Sequence, residues 1–455
     1  MPPESSPPPP NGRGKWQERL SGSKLVRVLS YHDFRLLWIG AFVSFTGSWI
    51  QSVAQGYFVY QLTQDESKLA WVSFCGSIPV FLLGFVAGSL ADTLNKRTVL
   101  VVTQSIYAAG ALYLAVATEF GFVQYWQIIA VAFALGLVGC VEMPTRQSIV
   151  SRVVPPEDLA AAVPVNAMTF NVARIFGPAV GVLILTKFGV AACYLLNGVS
   201  FIALIWAAMA IKSSLAVQPR QAQPIMDLIF EGAIYTWREA RLRTLLVLET
   251  ITAIFGIFYI PLIPAYIDQA LGLGTTTGAH PDAAKAANGA AYTAMGIGAM
   301  LGLVLITALS DSPHKAHLIR GSMGIIGFGL ILLAFIRVPI DAYIVIGFVG
   351  GSTIIQFNST NALFQILAPE RLRGRVLSMH IWALNGLSPF GVLAFGYLAK
   401  NTRMNVPIHG LLEFVPQAGV RLSLLVGGSV VLLASIISLF ASSALTDLND
   451  GPSTA

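Results

Sequence analysis

The strongest constraint on this chain is a succession of twelve apolar stretches between residues 36 and 442. A bilayer core of about 30 Å is crossed by a helix of about 20 apolar residues, which is the length of these stretches. Because lipid offers the backbone no hydrogen-bond partners, runs of this length must be helical. The sequence therefore predicts an all-α membrane protein with spans at 36–60, 70–92, 98–118, 123–145, 163–186, 190–211, 244–267, 289–310, 317–336, 340–364, 375–399 and 419–442.

Charged side chains are too scarce for a soluble protein of this size. They make up 11% of the 455 residues, and hydrophobic residues make up 55%, whereas a soluble domain has about 25% charged residues. Cys75, Cys140 and Cys193 lie singly within apolar stretches, so they predict neither a disulfide nor a metal site. The sequence has no phosphate-binding loop and no hydrolase motif, and we expect no cofactor.

Lysine and arginine are distributed unequally between the two sides of the predicted bundle. Twenty of the 28 Lys and Arg residues fall on the side that carries both chain ends, seven fall on the other side, and Arg174 lies deep inside a span. The side richer in these residues is normally cytoplasmic. We therefore expect a multi-pass protein of the inner (plasma) membrane with both termini in the cytoplasm. The distribution argues against a nucleic-acid partner.

The chain divides into two similar halves at its one long polar interval, residues 212–243. TRQSIVSRVVPPEDL at 145–159 resembles TNALFQILAPERL at 360–372, and each is followed by a span with a proline, Pro178 and Pro389. Such a repeat predicts two pseudo-symmetric six-helix bundles with a binding site between them. The predicted units are a disordered cytoplasmic tail at 1–33, an N-terminal bundle at 34–212, a linker with an amphipathic helix at 213–243, a C-terminal bundle at 244–442 and a cytoplasmic tail at 443–455.

A charged motif lies where predicted spans two and three meet on the cytoplasmic side. Gly88 allows a close helix approach, Asp92 can accept hydrogen bonds from a neighbouring helix, and Lys96 and Arg97 hold the turn at the surface. We predict that these four residues form a conformational latch that breaks and re-forms as the bundles rock. The alternative is a plain basic turn that follows the positive-inside rule.

Predicted span five carries a charge, a proline and two glycines on one face. These residues are Arg174, Gly177, Pro178 and Gly181. Pro178 bends the helix, and two glycines four residues apart allow tight packing. An arginine this deep in a span is costly unless it is paired or hydrated, so we predict a gating or cavity role. The alternative is a structural ion pair between Arg174 and Glu142.

Two glutamates lie within predicted spans. Glu142 precedes Arg146 by four residues, an order that favours an ion pair on one helix face, and we predict a structural role for this pair. Glu249 lies about a turn and a half inside span seven, where a carboxyl group removed from water can exchange a proton. We therefore select Glu249 as the candidate for proton coupling. The alternative is that its carboxylate reaches back to Arg243 at the membrane interface.

Polar residues recur at helical spacing on several spans. Because polar groups that faced lipid would lack partners, these faces are predicted to point toward a central cavity or a partner helix. Hydrogen bonds between helices are the alternative explanation for any single stripe. The candidates for lining a cavity are Gln51, Gln55, Asn171, Tyr259, Asn358, Asn361, Trp382 and Asn385.

Several of these segments together resemble the major facilitator superfamily. GSLADTLNKR at 88–97 is similar to its motif A, and NVARIFGPAVG at 171–181 is similar to the motif of its antiporters. From about Tyr31 to Ser442 the chain resembles the branch of bacterial exporters that includes the enterobactin exporter and macrolide efflux pumps. The resemblance implies twelve helices in two bundles, alternating access, and export driven by a proton gradient.

Three positions depart from the family pattern. Motif A usually has a basic residue and a glycine where this chain has Thr93 and Asn95, and the antiporter motif usually has a second glycine where Val182 stands. Asparagine tolerates the left-handed backbone conformation that a glycine would adopt in this turn.

The combined prediction is a secondary active exporter of a small amphipathic molecule, either siderophore-like or drug-like. We expect it to act as a monomer, to antiport protons, to bind no metal and to catalyse no reaction. A uniporter or importer of the same fold is the first alternative. An intramembrane enzyme is a remote one, because the six histidines are scattered and lie mostly at loop positions. A membrane scaffold would have no use for the polar stripes.

Overall fold

The computed structural model describes residues 24–215, 225–273, 281–309, 315–405 and 418–440. Within these residues the chain is almost entirely α-helical. This description leaves out the side chains at 24–26, 85–93, 160, 225–230, 403–405 and 418. The C-terminal tail and the first 23 residues also lie outside it.

The described residues contain twelve membrane spans, as the sequence predicts. Eleven helices are long and apolar enough to cross a membrane, and the longest supplies two spans because its backbone is not helical at Gly189, with φ 81° and ψ −174°. The Sγ of Cys193 lies 3.9 Å from the carbonyl oxygen of Gly181, so the chain folds back there. Spans one to twelve are His32–Thr63, Glu66–Thr93, Lys96–Glu119, Tyr125–Val153, the two arms of Leu159–Ala210, Ala240–Phe255 with Tyr259–Gln269, Pro281–Ala308, Lys315–Phe335, Pro339–Leu367, Arg373–Asn405 and Ala418–Phe440.

Span seven is broken into two segments, although the sequence predicts one continuous span at 244–267. The first segment ends at Phe255, where the Gly256 N–H bonds to the carbonyl oxygen of Thr252 at 2.8 Å. The second segment begins at Tyr259. Hydropathy cannot detect such a break, because the connecting residues 256–258 are as apolar as the helices they join.

The predicted disordered tail at 1–33 is too long at its C-terminal end. A short helix occupies Lys24–Ser30, and span one begins at His32. Arg27 forms an ion pair with Asp158, and the Tyr31 hydroxyl donates to the same carboxylate at 2.7 Å. These two contacts fasten the segment to the loop before span five, which the proline-rich composition of the preceding residues could not reveal.

The predicted amphipathic helix before span seven lies at Ile225–Arg238. It is shorter than the predicted segment, which extended to Arg243, because span seven already begins at Ala240. Glu231 on this helix contacts both Arg371 and Arg375 at the start of span eleven. The linker helix is therefore tied to the C-terminal half.

Glycines set the closest helix contacts within each half. A Cβ atom on Gly181 would lie 3.2 Å from the Cα of Ile50, so spans five and one pack with their backbones close together. In the C-terminal half, a Cβ on Gly351 would lie 2.7 Å from the carbonyl oxygen of Gly298, which brings spans ten and eight equally close. Small residues at such crossings are the usual way in which membrane helices associate, because lipid supplies no hydrophobic force between them.

Polar contacts join the two halves at one face of the bundle. We name the face at which span one begins the terminal face, and the opposite one the distal face. At the distal face, the Lys400 Nζ lies 2.6 Å from the Asp65 Oδ2, and the Tyr60 hydroxyl donates to the Asp268 Oδ2 at 2.9 Å. Each of these contacts connects the N-terminal half to the C-terminal half.

Spans two and eleven continue this contact toward the middle of the molecule. The Trp71 indole N–H donates to the Tyr397 hydroxyl at 2.9 Å. Further along, the rings of Phe81 and Trp382 stack with centroids 5.3 Å apart. The interface between the halves therefore runs from the distal face to about the centre of both spans.

Candidate functional site

A cavity of about 380 Å³ lies between the two halves. Spans one, two, four, seven and eight contribute to its wall, and every lining residue is uncharged. A pocket with this mixture of aromatic rings, hydroxyls, an amide and aliphatic groups suits an amphipathic small molecule. The lining residues are Trp49, Ser52, Gln55, Gly56, Val59, Leu69, Val72, Ser73, Gly76, Ser77, Ala132, Ile260, Pro261 and Tyr292.

Three amide side chains connect the cavity to span six. Asn197 Nδ2 donates to Gln51 Oε1 at 2.6 Å, and Gln51 Nε2 donates to Gln55 Oε1 at 3.4 Å. Gln55 lines the cavity, whereas Gln51 is buried and bonds to other side chains. Of these two predicted lining residues, the structure therefore places one in the cavity wall and the other in the hydrogen-bonded layer behind it.

Arg174 lies beside this cavity without a counter-charge. Its side chain is 8% exposed, its Cζ lies 5.5 Å from the centre of the Trp49 ring, and Tyr259 lies within its electrostatic reach. The alternative ion pair with Glu142 does not form, because Glu142 binds Arg146 instead, with Nε and Oε1 2.9 Å apart. In the described part of the chain, the Arg174 Nε has no hydrogen-bond acceptor, and no acidic side chain forms an ion pair with Arg174.

Glu142 and Arg146 form the centre of a small polar cluster in the N-terminal half. Gln104 Nε2 donates to Glu142 Oε1 at 3.4 Å, and the Ser44 hydroxyl donates to Gln104 Oε1 at the same distance. The guanidinium of Arg146 also lies 4.3 Å from the centre of the Phe45 ring. The contact that the sequence predicts between Glu142 and Arg146 is therefore present, and its structural role stays a prediction.

Glu249 faces a histidine that the sequence analysis did not select. The Glu249 side chain is completely buried, and its Oε2 lies 2.6 Å from the Nδ1 of His380, which is 3% exposed. The alternative contact with Arg243 is wrong, because the Arg243 guanidinium donates to the Trp237 carbonyl oxygen at the membrane edge. The sequence signal for this residue is that His380 lies inside predicted span eleven and not in a loop.

Unsatisfied polar atoms accompany this buried pair. Glu249 Oε1, Gln356 Oε1 and Ser359 Oγ are buried and have no hydrogen-bond partner among the described residues. Gln356 Nε2 donates to the Thr252 hydroxyl at 2.8 Å, which places span ten against the turn that follows Glu249. Buried polar groups of this kind normally receive hydrogen bonds from water.

The other predicted lining residues do not line the 380 Å³ cavity. Asn171, Asn358 and Asn385 each donate to a carbonyl oxygen one turn earlier on their own helix. Asn361 accepts a hydrogen bond from Gln365 at 2.6 Å. Their helical spacing therefore did not distinguish the wall of this cavity from polar positions outside it.

Trp382 and the glycine-proline element of span five have packing contacts. The Trp382 indole N–H donates to the Phe81 carbonyl oxygen at 3.4 Å, across the interface between the halves. Gly177 packs against Trp49, since a Cβ there would meet the side chain and the neighbouring backbone of span one. Pro178 lies inside the helix and does not end it.

The basic half of the predicted latch makes contacts within the N-terminal half. Arg97 donates to the carbonyl oxygen of Ile211, and the Lys96 N–H donates to that of Leu215 at 3.2 Å. Asn95 caps span three by accepting from the Arg97 N–H at 3.0 Å. The side chain of Asp92 and the surroundings of Gly88 lie outside the described residues.

Comparison with known proteins gives a family and several relatives. The profile of the family described as transmembrane secretion effector matches residues 26–442. The staphyloferrin A transporter of Staphylococcus aureus is 23% identical over 364 residues, which are 79% of this chain and 87% of that protein. The multidrug efflux pump Tap of Mycolicibacterium fortuitum is 23% identical over 381 residues, which are 80% of this chain and 88% of that protein.

Solved structures share the architecture at low sequence identity. A POT family transporter crystallised with 5-aminolevulinic acid superimposes with a TM-score of 0.71 at 11% identity, covering 91% of this chain and 96% of that one. The nucleoside transporter NupG superimposes with a TM-score of 0.66 at 13% identity, covering 90% of this chain and all of that one. Identities this low report the fold alone.

Proposed function

The chain belongs to the transmembrane secretion effector family of the major facilitator superfamily, and on that premise we propose that it is a proton-coupled exporter. Its substrate is a small amphipathic molecule, siderophore-like or drug-like, that leaves the cytoplasm while protons enter. The proposal extends the plainer statement that the chain is a multi-pass membrane transporter.

The observation that carries the proton coupling is the contact between Glu249 and His380. Both side chains are almost fully buried, and both can gain or lose a proton. A charge change inside a low-dielectric interior alters the energy of the surrounding packing far more than the same change at a surface. The protonation state of this pair can therefore bias the C-terminal half between two arrangements.

The joined distal face and the charge distribution support the proposed direction of export. The excess of Lys and Arg on the terminal side supports a cytoplasmic location for that side. The contacts of Asp65 with Lys400 and of Tyr60 with Asp268 then fasten the outer side. A transporter fastened on its outer side can receive substrate from the cytoplasm or from the inner leaflet of the bilayer.

The substrate class rests on the cavity wall and on the relatives. An uncharged lining of about 380 Å³ with Trp49, Gln55 and Tyr292 favours a molecule with apolar surface and a few hydrogen-bonding groups. One relative is the staphyloferrin A transporter, and another is the multidrug efflux pump Tap. We accordingly propose siderophore-like and drug-like compounds as the first candidates.

The test is proton movement in energised inside-out membrane vesicles that contain the protein. Siderophores, macrolides and dyes are added singly, and the interior pH is followed with a fluorescent amine. We expect a true substrate to dissipate the pH gradient in wild-type vesicles and to lose this effect in Glu249→Gln. Glu370→Gln, which changes an exposed glutamate, is the matched control and should behave as wild type.

The outcomes separate coupling from transport. Entry of a substrate only to equal concentrations on both sides, with the pH gradient unchanged, would contradict proton antiport and favour a uniporter. A wild-type response that persists in Glu249→Gln would exclude this carboxyl group as the coupling site. Absence of any response to every compound, with folded protein in the vesicles, would contradict the proposed substrate classes.

A further inference from the structure

We infer that Arg174 and Tyr259 form a subsite for an anionic group of the transported molecule, with a carboxylate as the best fit. The inference rests on the proposed function, because it assigns a charge to one part of the substrate. It would make the preferred substrates amphipathic acids rather than neutral or cationic compounds.

The first observation is an uncompensated buried cation. Arginine stays protonated in proteins, so Arg174 keeps its charge even at 8% exposure. Its Nε has no hydrogen-bond partner, and no acidic side chain among the described residues pairs with it. Glu142, the acid that the sequence offered as a partner, is already bound to Arg146 at 2.9 Å. A buried charge of this kind calls for an anion from outside the chain.

The second observation is a free phenol next to it. The Tyr259 hydroxyl is buried, has no hydrogen-bond partner in the described part of the chain, and lies within electrostatic reach of Arg174. By contrast, the Tyr292 hydroxyl donates to the Ile260 carbonyl oxygen at 2.9 Å. The two tyrosines therefore differ: the Tyr292 hydroxyl already donates a hydrogen bond, and the Tyr259 hydroxyl is available to donate one to a substrate.

The third observation is the position of these groups beside the cavity. Trp49, whose ring lies 5.5 Å from the Arg174 Cζ, is part of the cavity wall. Ile260 and Pro261, the residues that follow Tyr259, are also part of it. The cation and the phenol thus lie directly behind a wall that is otherwise uncharged. A substrate in the cavity can place its apolar part against Trp49 and its charged end toward Arg174.

The donor set fits a carboxylate. A guanidinium offers N–H donors in a planar fork that can hold both oxygens of a carboxylate, and a phenol O–H adds another donor. A cationic amine would meet like charge at this position. A neutral ester would have oxygen acceptors but no charge to balance Arg174. The site therefore selects acids within the siderophore-like and drug-like compounds.

The experiment is a binding measurement on purified full-length protein in lipid nanodiscs, without any ion gradient. The probes are a fluorescent α-hydroxycarboxylic acid with an apolar tail and its methyl ester. We expect wild type to prefer the acid, and Arg174→Gln to weaken acid binding about tenfold or more while leaving ester binding unchanged. Arg174→Lys should retain part of the preference, because it keeps the charge and loses the fork.

The two tyrosines provide matched variants. Tyr259→Phe removes the free hydroxyl and should weaken acid binding severalfold, whereas Tyr292→Phe should weaken acid and ester alike or neither. Retained ester binding in each variant reports that the cavity is still folded. A chloride titration identifies the alternative occupant, a small inorganic anion.

Three results would overturn the inference. Equal binding of acid and ester to wild type would mean that no charge is recognised. Equal loss of both probes in Arg174→Gln would give Arg174 a purely structural role. Displacement of the acid preference by chloride at low concentration would assign the site to an inorganic anion. None of these results bears on proton coupling, which depends on Glu249 and is measured separately by the vesicle experiment.

Discussion

Glu142 in the N-terminal half and Glu249 in the C-terminal half are both buried carboxylates inside spans, but their partners differ. Glu142 binds Arg146, and Glu249 binds His380. Arginine cannot release its proton in a protein, whereas a carboxyl group and an imidazole can each gain or lose one. The first pair therefore has a fixed charge state, and the second has a charge state that depends on how many protons it holds.

The polar atoms around the two pairs also differ in how completely they are hydrogen-bonded. Around Glu142 the hydrogen bonds of Gln104 and Ser44 complete a saturated cluster. Around Glu249 one carboxylate oxygen has no described partner, and two further polar atoms on span ten are also unsatisfied. A saturated cluster is suited to holding helices together, and an unsaturated one is suited to accepting a proton or a water molecule. The comparison is consistent with the predicted structural role of the first pair and with the proposed proton exchange at the second.

The largest expected effect comes from replacing His380 by arginine, so that the partner of Glu249 has a permanent charge, as Arg146 does beside Glu142. His380→Arg should reduce proton-driven transport by about a hundredfold, which is the range for loss of a group that transfers protons. Exchange of labelled substrate without a gradient should continue. The measurement is uptake into energised vesicles, with His380→Gln as a smaller, uncharged replacement. Undiminished proton-driven uptake in both variants would remove the distinction between the two pairs.

A large effect on stability is expected from the N-terminal pair. Glu142→Gln leaves Arg146 buried without its counter-charge and should lower the free energy of unfolding by about 3 kcal/mol. The measurement is the thermal unfolding midpoint in detergent, and a second change, Arg146→Met, should recover part of the loss. The number of protons moved per substrate should stay the same. If that number changed while the unfolding midpoint did not, the two glutamates would have the opposite roles.

The smallest effect is expected from the distal contact between the halves. Burial acts to raise the pKa of Asp65, but hydrogen bonds from Lys400 and Ser67 hold that pKa below its ordinary value. A carboxylate with a lowered pKa stabilises the contact at neutral pH, and the contribution is lost only as the pH falls below about 4. Asp65→Asn should remove no more than about 1 kcal/mol, because the pair is partly exposed.

The pH dependence of this contact can be followed from the buried side of the interface. Ala70 is fully buried where spans two and eleven pack together. A cysteine at this position, in a chain without the three native cysteines, should react with a membrane-impermeant thiol reagent up to about fivefold faster at pH 7 when Asp65→Asn is also present. Because the reactive thiolate is scarce at pH 3.5, each rate is divided by that of an exposed reference cysteine at the same pH, and the normalised difference between the two backgrounds should narrow there. Equal normalised rates at pH 7 would show that Asp65 does not hold the halves together.

The sequence allowed the spans and the local pairs to be predicted, because both depend on residues close together along the chain. Hydropathy placed all twelve spans, and a separation of four residues on one helix placed Glu142 beside Arg146. The contact of Glu249 with His380 joins residues 131 positions apart. No periodicity within either span indicates it, since it depends on how spans seven and eleven cross.

The polar stripes show a second limit of prediction from spacing. An asparagine in a helix can satisfy its amide on the carbonyl oxygen one turn earlier, as Asn171, Asn358 and Asn385 do. Such a residue can therefore lie near lipid, near a neighbouring helix or near water without an unsatisfied donor. Spacing identifies the face, and only the arrangement of the spans decides what that face meets.

The break in span seven divides two candidate functional side chains between two separate helical rods. The first rod, Ala240–Phe255, carries Glu249, and the second, Tyr259–Gln269, begins with Tyr259. Ten residues of helix would separate these side chains by about 15 Å along the axis. The second rod is anchored to the other half through Asp268 and Tyr60. We expect the three-residue joint to let the first rod tilt while the second keeps its contact with Tyr60, so that a movement around Glu249 need not displace Tyr259.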